Sequence, residues 1–189
     1  MSGRPRDPGV DDAILRATMA LVEEKGYRAA SIEGIAARAG VSKQTVYRRY
    51  RSKGEVILDS LAAYAAGNLP APDTGSPRGD LAALLTATFA AQQGISGVLN
   101  RALVAESIGD EAFARTVWER LILPRRELVR TLLARAREPR ELGAAEADFL
   151  VDLVYGPMWY RLLFDPASLT AGYAERLAET VTGLAAGGS

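Results

Sequence analysis

The stretch that decides the fold is Ser31-Ile32-Glu33-Gly34-Ile35-Ala36-Ala37-Arg38-Ala39-Gly40-Val41-Ser42-Lys43-Gln44-Thr45-Val46-Tyr47-Arg48-Arg49-Tyr50-Arg51-Ser52-Lys53. Ser31 is suited to cap a helix, because its hydroxyl can accept an otherwise unpaired N–H of the first turn. Ile32, Ile35, Ala36 and Ala39 then recur at helical spacing, which predicts a short helix over 32–39 with one apolar face. Gly40 ends it, Val41 reads as a buried spacer, and Ser42 caps a second helix over 43–50.

Helix, glycine-containing turn and helix within about twenty residues is the spacing of a helix-turn-helix, whose second helix enters a DNA major groove. Helical geometry divides that second helix by direction. Val46 and Tyr50, four residues apart, face Ile35, Ala36 and Val41, whereas Gln44, Tyr47 and Arg48 share the outer face, flanked by Lys43 and Thr45. Gln44 can pair with adenine N6 and N7, and the Thr45 methyl can meet a thymine methyl. Lys43, Tyr47, Arg48 and Lys53 are the expected phosphate contacts, and the helix N-termini at Ser31 and Ser42 add backbone N–H groups for phosphate oxygens. Plainer readings stand beside these: Tyr47 and Tyr50 as core aromatics, Arg48, Arg49 and Arg51 as a solvated charged face, and Arg4 and Arg6 as an ordinary tail rather than a flexible arm in the minor groove.

Working outward, residues 11–25 carry Ile14, Ala17, Leu21 and Val22 at helical spacing, closed by Gly26. After a break at 51–54, a longer helix is expected over 55–66, then a Pro- and Gly-rich loop over 67–79. Further helices are expected at 80–93, 98–108, 111–123, 125–137, 144–164 and 170–185. The expected architecture is all-α: an N-terminal three-helix bundle with a helix-turn-helix in residues 1–54, Met1 to Gly9 forming a polar arm, and a larger α-helical ligand-binding and dimerisation domain in residues 55–189.

Composition agrees with this division. Of 189 residues, 48% are hydrophobic, and the formal net charge is zero. The charge is unevenly spread: the chain up to Lys53 holds 11 Lys and Arg against 6 Asp and Glu, and the remainder 12 against 17. A basic end suits a polyanion and an acidic remainder does not. With no Cys and no His, disulfides, thiolate nucleophiles, Cys/His zinc sites and Ser-His-Asp triads cannot be built. No enzymatic activity and no cofactor or metal are expected; Glu106, Asp110 and Glu111 read as helix-end charges rather than a paired-acid site. Charges interrupt every apolar stretch before it reaches about 18 residues, and the first residues lack a signal-like apolar run, so a cytoplasmic protein without membrane contact is expected.

The stretch from Ala17 to Lys53 resembles the DNA-binding signature of the TetR family of transcriptional regulators. The matching residues are Ala17, Gly26, Tyr27, Ser31, Ile32, Ile35, Ala36, Ala39, Gly40, Val41, Ser42, Thr45, Tyr47, Tyr50, Ser52 and Lys53. Gln44 departs from the small residue common there, and Arg49-Tyr50 replaces a common His-Phe pair. The resemblance implies Tyr47 and Lys53 as phosphate contacts, a divergent helical second domain, and a homodimer joined by two C-terminal helices from each subunit in a four-helix bundle. By position Phe149, Leu150, Leu153, Leu177, Val181 and Leu184 are the candidate dimer residues. Phe89, Phe113, Trp118, Tyr155, Met158, Trp159 and Leu162 are the candidate lining of an apolar pocket for a small-molecule effector, with Gly156 and Pro157 able to open space beside them. The expectation is a ligand-responsive regulator, a repressor by family analogy, that binds a palindromic double-stranded DNA operator as a dimer. A helical interaction or ligand-carrier protein is the alternative.

Overall fold

The computed structural model describes residues 8–68, 72–135 and 143–187. Among these the structure is helical with no strand: α1 (Pro8–Ala29), α2 (Ile32–Ala39), α3 (Lys43–Tyr47), α4 (Lys53–Asn68), α5 (Pro77–Gln92), α6 (Ile95–Ile108), α7 (Glu111–Val117), α8 (Leu123–Ala134), α9 (Ala144–Phe164) and α10 (Ala171–Ala185). Arg4 and Arg6, most of the expected arm and Pro70 lie outside the described residues, as does the end of the expected helix over 125–137.

Two compact units emerge. One holds the chain up to Ala65 together with Ala102–Arg120, and the other holds Ala66–Arg101 and the chain from Leu121 onward. The first therefore extends beyond the boundary expected after Gly54. A Cβ at Gly54 would lie 2.7 Å from Glu106 Oε1 and 2.8 Å from Phe113 Cζ, so α4, α6 and α7 meet where a side chain would not fit. Lys53 and Gly54, expected in a break, form the first turn of α4, where Ser52 Oγ accepts the Glu55 N–H at 3.2 Å.

In the first unit, Ile14, Leu21, Ile35, Ala36, Val46, Tyr50, Val56 and Leu61 are buried. The expected pattern places α2 as it is: Ser31 Oγ accepts the Gly34 N–H at 3.1 Å, and Gly40 closes the helix at φ 68°, ψ 28°, a left-handed conformation that costs glycine nothing. Helix α3 is shorter than expected. After Tyr47 the chain tightens to a three-residue bond from Arg49 N–H to Val46 O at 2.9 Å, which leaves Arg49 free to fold back rather than continue the helix.

In the second unit, Leu81, Leu85, Phe89, Val129, Leu133, Val151, Val154, Leu162, Ala174 and Ala178 belong to one buried cluster from α5, α8, α9 and α10. Phe89 stacks on Tyr173, with ring centroids 6.0 Å apart, and the Arg161 guanidinium lies 3.8 Å from the Tyr173 ring centroid. At the start of α5, Asp80 accepts the Thr74 N–H at 2.6 Å and its hydroxyl at 2.8 Å, and lies 3.0 Å from an Arg135 guanidinium nitrogen.

The helix expected over 111–123 is interrupted. Trp118–Ile122 forms a wider π turn between α7 and α8, two residues before Pro124, which has no N–H to continue a regular ladder. No single helix among the described residues is long and apolar enough to cross a membrane.

Candidate nucleic-acid interface and ligand cavity

The outer face of α3 is built by its inner one. Val46 is fully buried and Tyr50 only 6% exposed, so the intervening Tyr47 turns outward, 49% exposed, with Lys43, Gln44 and Arg48 exposed around it. Among the described residues, Gln44 and Arg48 have no side-chain partner. Thr45 is half-buried, and its hydroxyl meets Ser42 Oγ at 2.9 Å.

Other polar groups here are committed to holding the helix. Ser42 Oγ accepts the Thr45 N–H at 3.1 Å, so Ser31 and Ser42 both act as caps. Arg49 donates to Asp11 through Nε and so ties α3 to α1, a structural role that its sequence position among three arginines concealed. Lys43 pairs with Glu33, and its ammonium lies 5.5 Å from the Tyr47 ring centroid. That pair draws the Glu33 carboxyl below its ordinary range, first through the hydrogen bond from Lys43, and raises the Lys43 ammonium for the same reason.

Lys53 is less free than a bare phosphate ligand. It donates to the Tyr27 carbonyl at 3.0 Å and lies 4.4 Å from the Tyr27 ring centroid. The Tyr27 hydroxyl donates to Glu106, and burial, reinforced by Glu106, pushes the phenol well above its ordinary pKa. Asp110 caps α7 by accepting the Phe113 N–H at 3.0 Å. Glu106 and Asp110 thus have structural partners.

The second unit contains a cavity of about 300 Å³, counting its open mouth, lined by Gln92, Asn100, Leu121, Ile122, Arg125, Tyr155, Met158 and Trp159. Of the seven expected pocket residues, the fold brings Tyr155, Met158 and Trp159 together there. The other four lie elsewhere. Phe89 and Leu162 are wholly buried in the core of the second unit, because their helix faces point to its centre. Phe113 is buried in the first unit near Gly54, and Trp118, also in that unit, is 48% exposed.

Helix α9 continues through Pro157, which cannot donate to the Leu153 carbonyl one turn back. Gly97 supports the part of the lining that Gln92 and Asn100 supply: a Cβ there would stand 2.0 Å from the Gln92 carbonyl oxygen, so only glycine lets the start of α6 approach the end of α5. This brings Asn100 Nδ2 within 2.9 Å of Gln92 Oε1, and both side chains are buried. The Tyr155 hydroxyl donates to the Arg125 carbonyl at 3.1 Å, and burial pushes this phenol up to about 12, so it stays a neutral donor. Gln92, Asn100 and Arg125 were not distinguished in sequence, where Gln92 stands beside Gln93, Asn100 beside Arg101 and Arg125 beside Arg126.

The six expected dimer residues divide by burial. Leu150 and Val181 are corrected to internal core positions, 3% and 1% exposed, because they turn toward the cluster that joins α9 and α10. Phe149 is 61% and Leu184 43% exposed, with Leu153 and Leu177 half-buried. Leu163 and Phe164, which were not singled out, extend the apolar surface of α9, as does Tyr160, an aromatic of the run 155–160 that the sequence suggests for the pocket.

Two family models match separate stretches of the chain. Residues 14–59 match the family described as bacterial regulatory proteins, tetR family, and residues 71–181 match the tetracyclin repressor-like C-terminal domain. The chain is 36% identical over 176 residues to the uncharacterized HTH-type transcriptional regulator YdeS of Bacillus subtilis, covering 93% of this chain and 89% of that one. It is 30% identical over 141 residues to the DNA-binding transcriptional repressor TetR of Mycobacteroides abscessus, covering 74% and 72%. The crystal structure of the TetR family transcription regulator SCO0332 superposes with a TM-score of 0.80 at 28% identity, covering 95% of this chain and 98% of that one. With the N-terminal helix-turn-helix and the C-terminal helical domain both matched, the chain belongs to the TetR family of helix-turn-helix, DNA-binding transcriptional regulators.

Proposed function

We propose that this regulator is a repressor that binds a palindromic operator as a homodimer and is released by a small effector with an apolar or aromatic body. The observation that carries the DNA reading is the outer face of α3, where Gln44 and Arg48 are exposed and, among the described residues, without side-chain partners and Tyr47 stands out from a buried neighbour. Gln44 and Thr45 read base edges; Lys43, Tyr47 and Arg48 position the helix on phosphates, with Lys53 bracing the start of α4 and reaching the backbone through its remaining donors. Ser31 and Ser42 act through the caps they form.

The dimer face comprises Phe149, Leu153, Tyr160, Leu163, Phe164, Leu177 and Leu184, apolar side chains left exposed or half-buried on α9 and α10. The effector site is the cavity lined by Tyr155, Met158 and Trp159. A ligand that favours one arrangement of the second unit alters the separation of the two recognition helices in the dimer, and DNA must weaken ligand binding by the same factor. The relative from Mycobacteroides abscessus, named a repressor, supports the sense of regulation.

Selection of bound sequences from a random duplex library tests the reading. An enriched palindrome, with affinity falling steeply as salt rises, is the expected result. Folded, dimeric protein that enriches no sequence would overturn it and favour the carrier alternative.

A further inference from the structure

We infer that the cavity beside α9 takes an anionic effector: a small carboxylate whose apolar body lies against Leu121, Ile122, Met158 and Trp159 and whose charged end meets Arg125. This rests on the reading of the cavity as the effector site and narrows its chemistry.

The arginines of α8 are treated unequally. Arg126 lies 2.5 Å from Asp152, and Arg130 pairs with Asp148 and with Glu127, the latter at 2.5 Å. Arg125, adjacent in sequence and lining the cavity, has no carboxylate partner among the described residues. Its guanidinium keeps its proton throughout the accessible pH range, and a charge withdrawn from water without a counter-charge is costly. Burial lowers its pKa, and the polar group that acts back on it is the Tyr155 phenol, which is neutral. A bound carboxylate would supply the missing opposite charge in the bidentate geometry a guanidinium favours.

The remaining wall suits the rest of such a molecule. Asn100 donates to Gln92 Oε1, leaving the Gln92 amide N–H groups for a second ligand oxygen. Most of the space of about 300 Å³ belongs to the open mouth of the cavity. Its enclosed part has room for roughly one water, so a larger body enters by moving Met158 or Trp159, and methionine adapts its shape readily. A cationic ligand would face Arg125 directly, and a neutral one would leave it unpaired.

The test uses the full-length Trp118→Phe variant, in which Trp159 is the remaining tryptophan, titrated at constant ionic strength with hydrocinnamate, hydrocinnamamide and phenylpropylamine. Binding is followed by Trp159 fluorescence and by calorimetry. Hydrocinnamate is expected to bind about tenfold more tightly than its amide, and the amine not measurably. Arg125→Met should bring the acid down to the level of the amide, while Arg125→Lys keeps part of the preference. Equal binding of acid and amide, a preference that survives in Arg125→Met, or no saturable binding of any of the three overturns the inference. Because the acid-to-amide ratio is read on protein that is otherwise unaltered at the cavity, a poorly folded Arg125 variant does not decide the outcome. Operator selection run beside it separates the two readings: operator binding without an acid preference sinks only the anion inference, and an acid preference without operator enrichment sinks only the repressor reading.

Discussion

Helix α3 and the cavity beside α9 use polar side chains in opposite ways. On α3, Gln44 and Arg48 stand in water, whereas Gln92 and Asn100 are buried against each other. An exposed polar group loses little when replaced, while a buried one left without its partner costs about 1–3 kcal/mol. Recognition on α3 should therefore be separable from stability, and the cavity should tie the two together.

The largest effect should come from the core behind the cavity. Leu162→Ala removes a fully buried side chain and should lower unfolding free energy by about 2–5 kcal/mol in urea denaturation. A much smaller loss would mean that Leu162 borders open space after all. Gly97→Ala should cost about 1–3 kcal/mol or more, since the new methyl meets a backbone carbonyl that cannot swing away; an unchanged melting temperature would break the account of the cavity wall.

Gln44→Ala sharpens the contrast from the other side. It should shift unfolding free energy by no more than about 0.5 kcal/mol, yet cost about 1–3 kcal/mol of discrimination at one operator base pair, measured by competition with single-base variants. Loss of stability equal to the loss of discrimination would erase the distinction between the two regions.

The smallest effect concerns Glu33 and Lys43. Because the Glu33 carboxyl is held below its ordinary value of 4.5, its stabilising contribution is present above that value and is lost as pH falls through the depressed one. The difference in melting temperature between the native protein and Glu33→Gln should thus be small at neutral pH, shrink with added salt, and vanish in acid. The same substitution releases Lys43, so operator affinity at low salt should rise slightly; a fall would mean that the pair itself orients α3 for binding.

The helix-turn-helix was legible because its determinants are local. Caps at Ser31 and Ser42, the left-handed turn at Gly40 and the inward spacing of Ile35, Val46 and Tyr50 all act over a few residues, and the same spacing turns Tyr47 outward. The second unit was legible as helices but not as a site. Phe89 and Trp159 look alike in sequence, and only the packing of α5 against its neighbours makes one a core ring and the other a cavity wall.

By itself, then, the sequence determined an all-helical chain, the position of its helix-turn-helix and the exclusion of cysteine and histidine chemistry, since residue identity and short-range periodicity decide these. Tertiary structure alone decided that Arg49 is a brace to Asp11, that Leu150 and Val181 face inward, and that Gln92, Asn100 and Arg125 meet around one cavity. Those outcomes depend on which helix faces are brought together across long sequence separations, information that no window of a few turns contains.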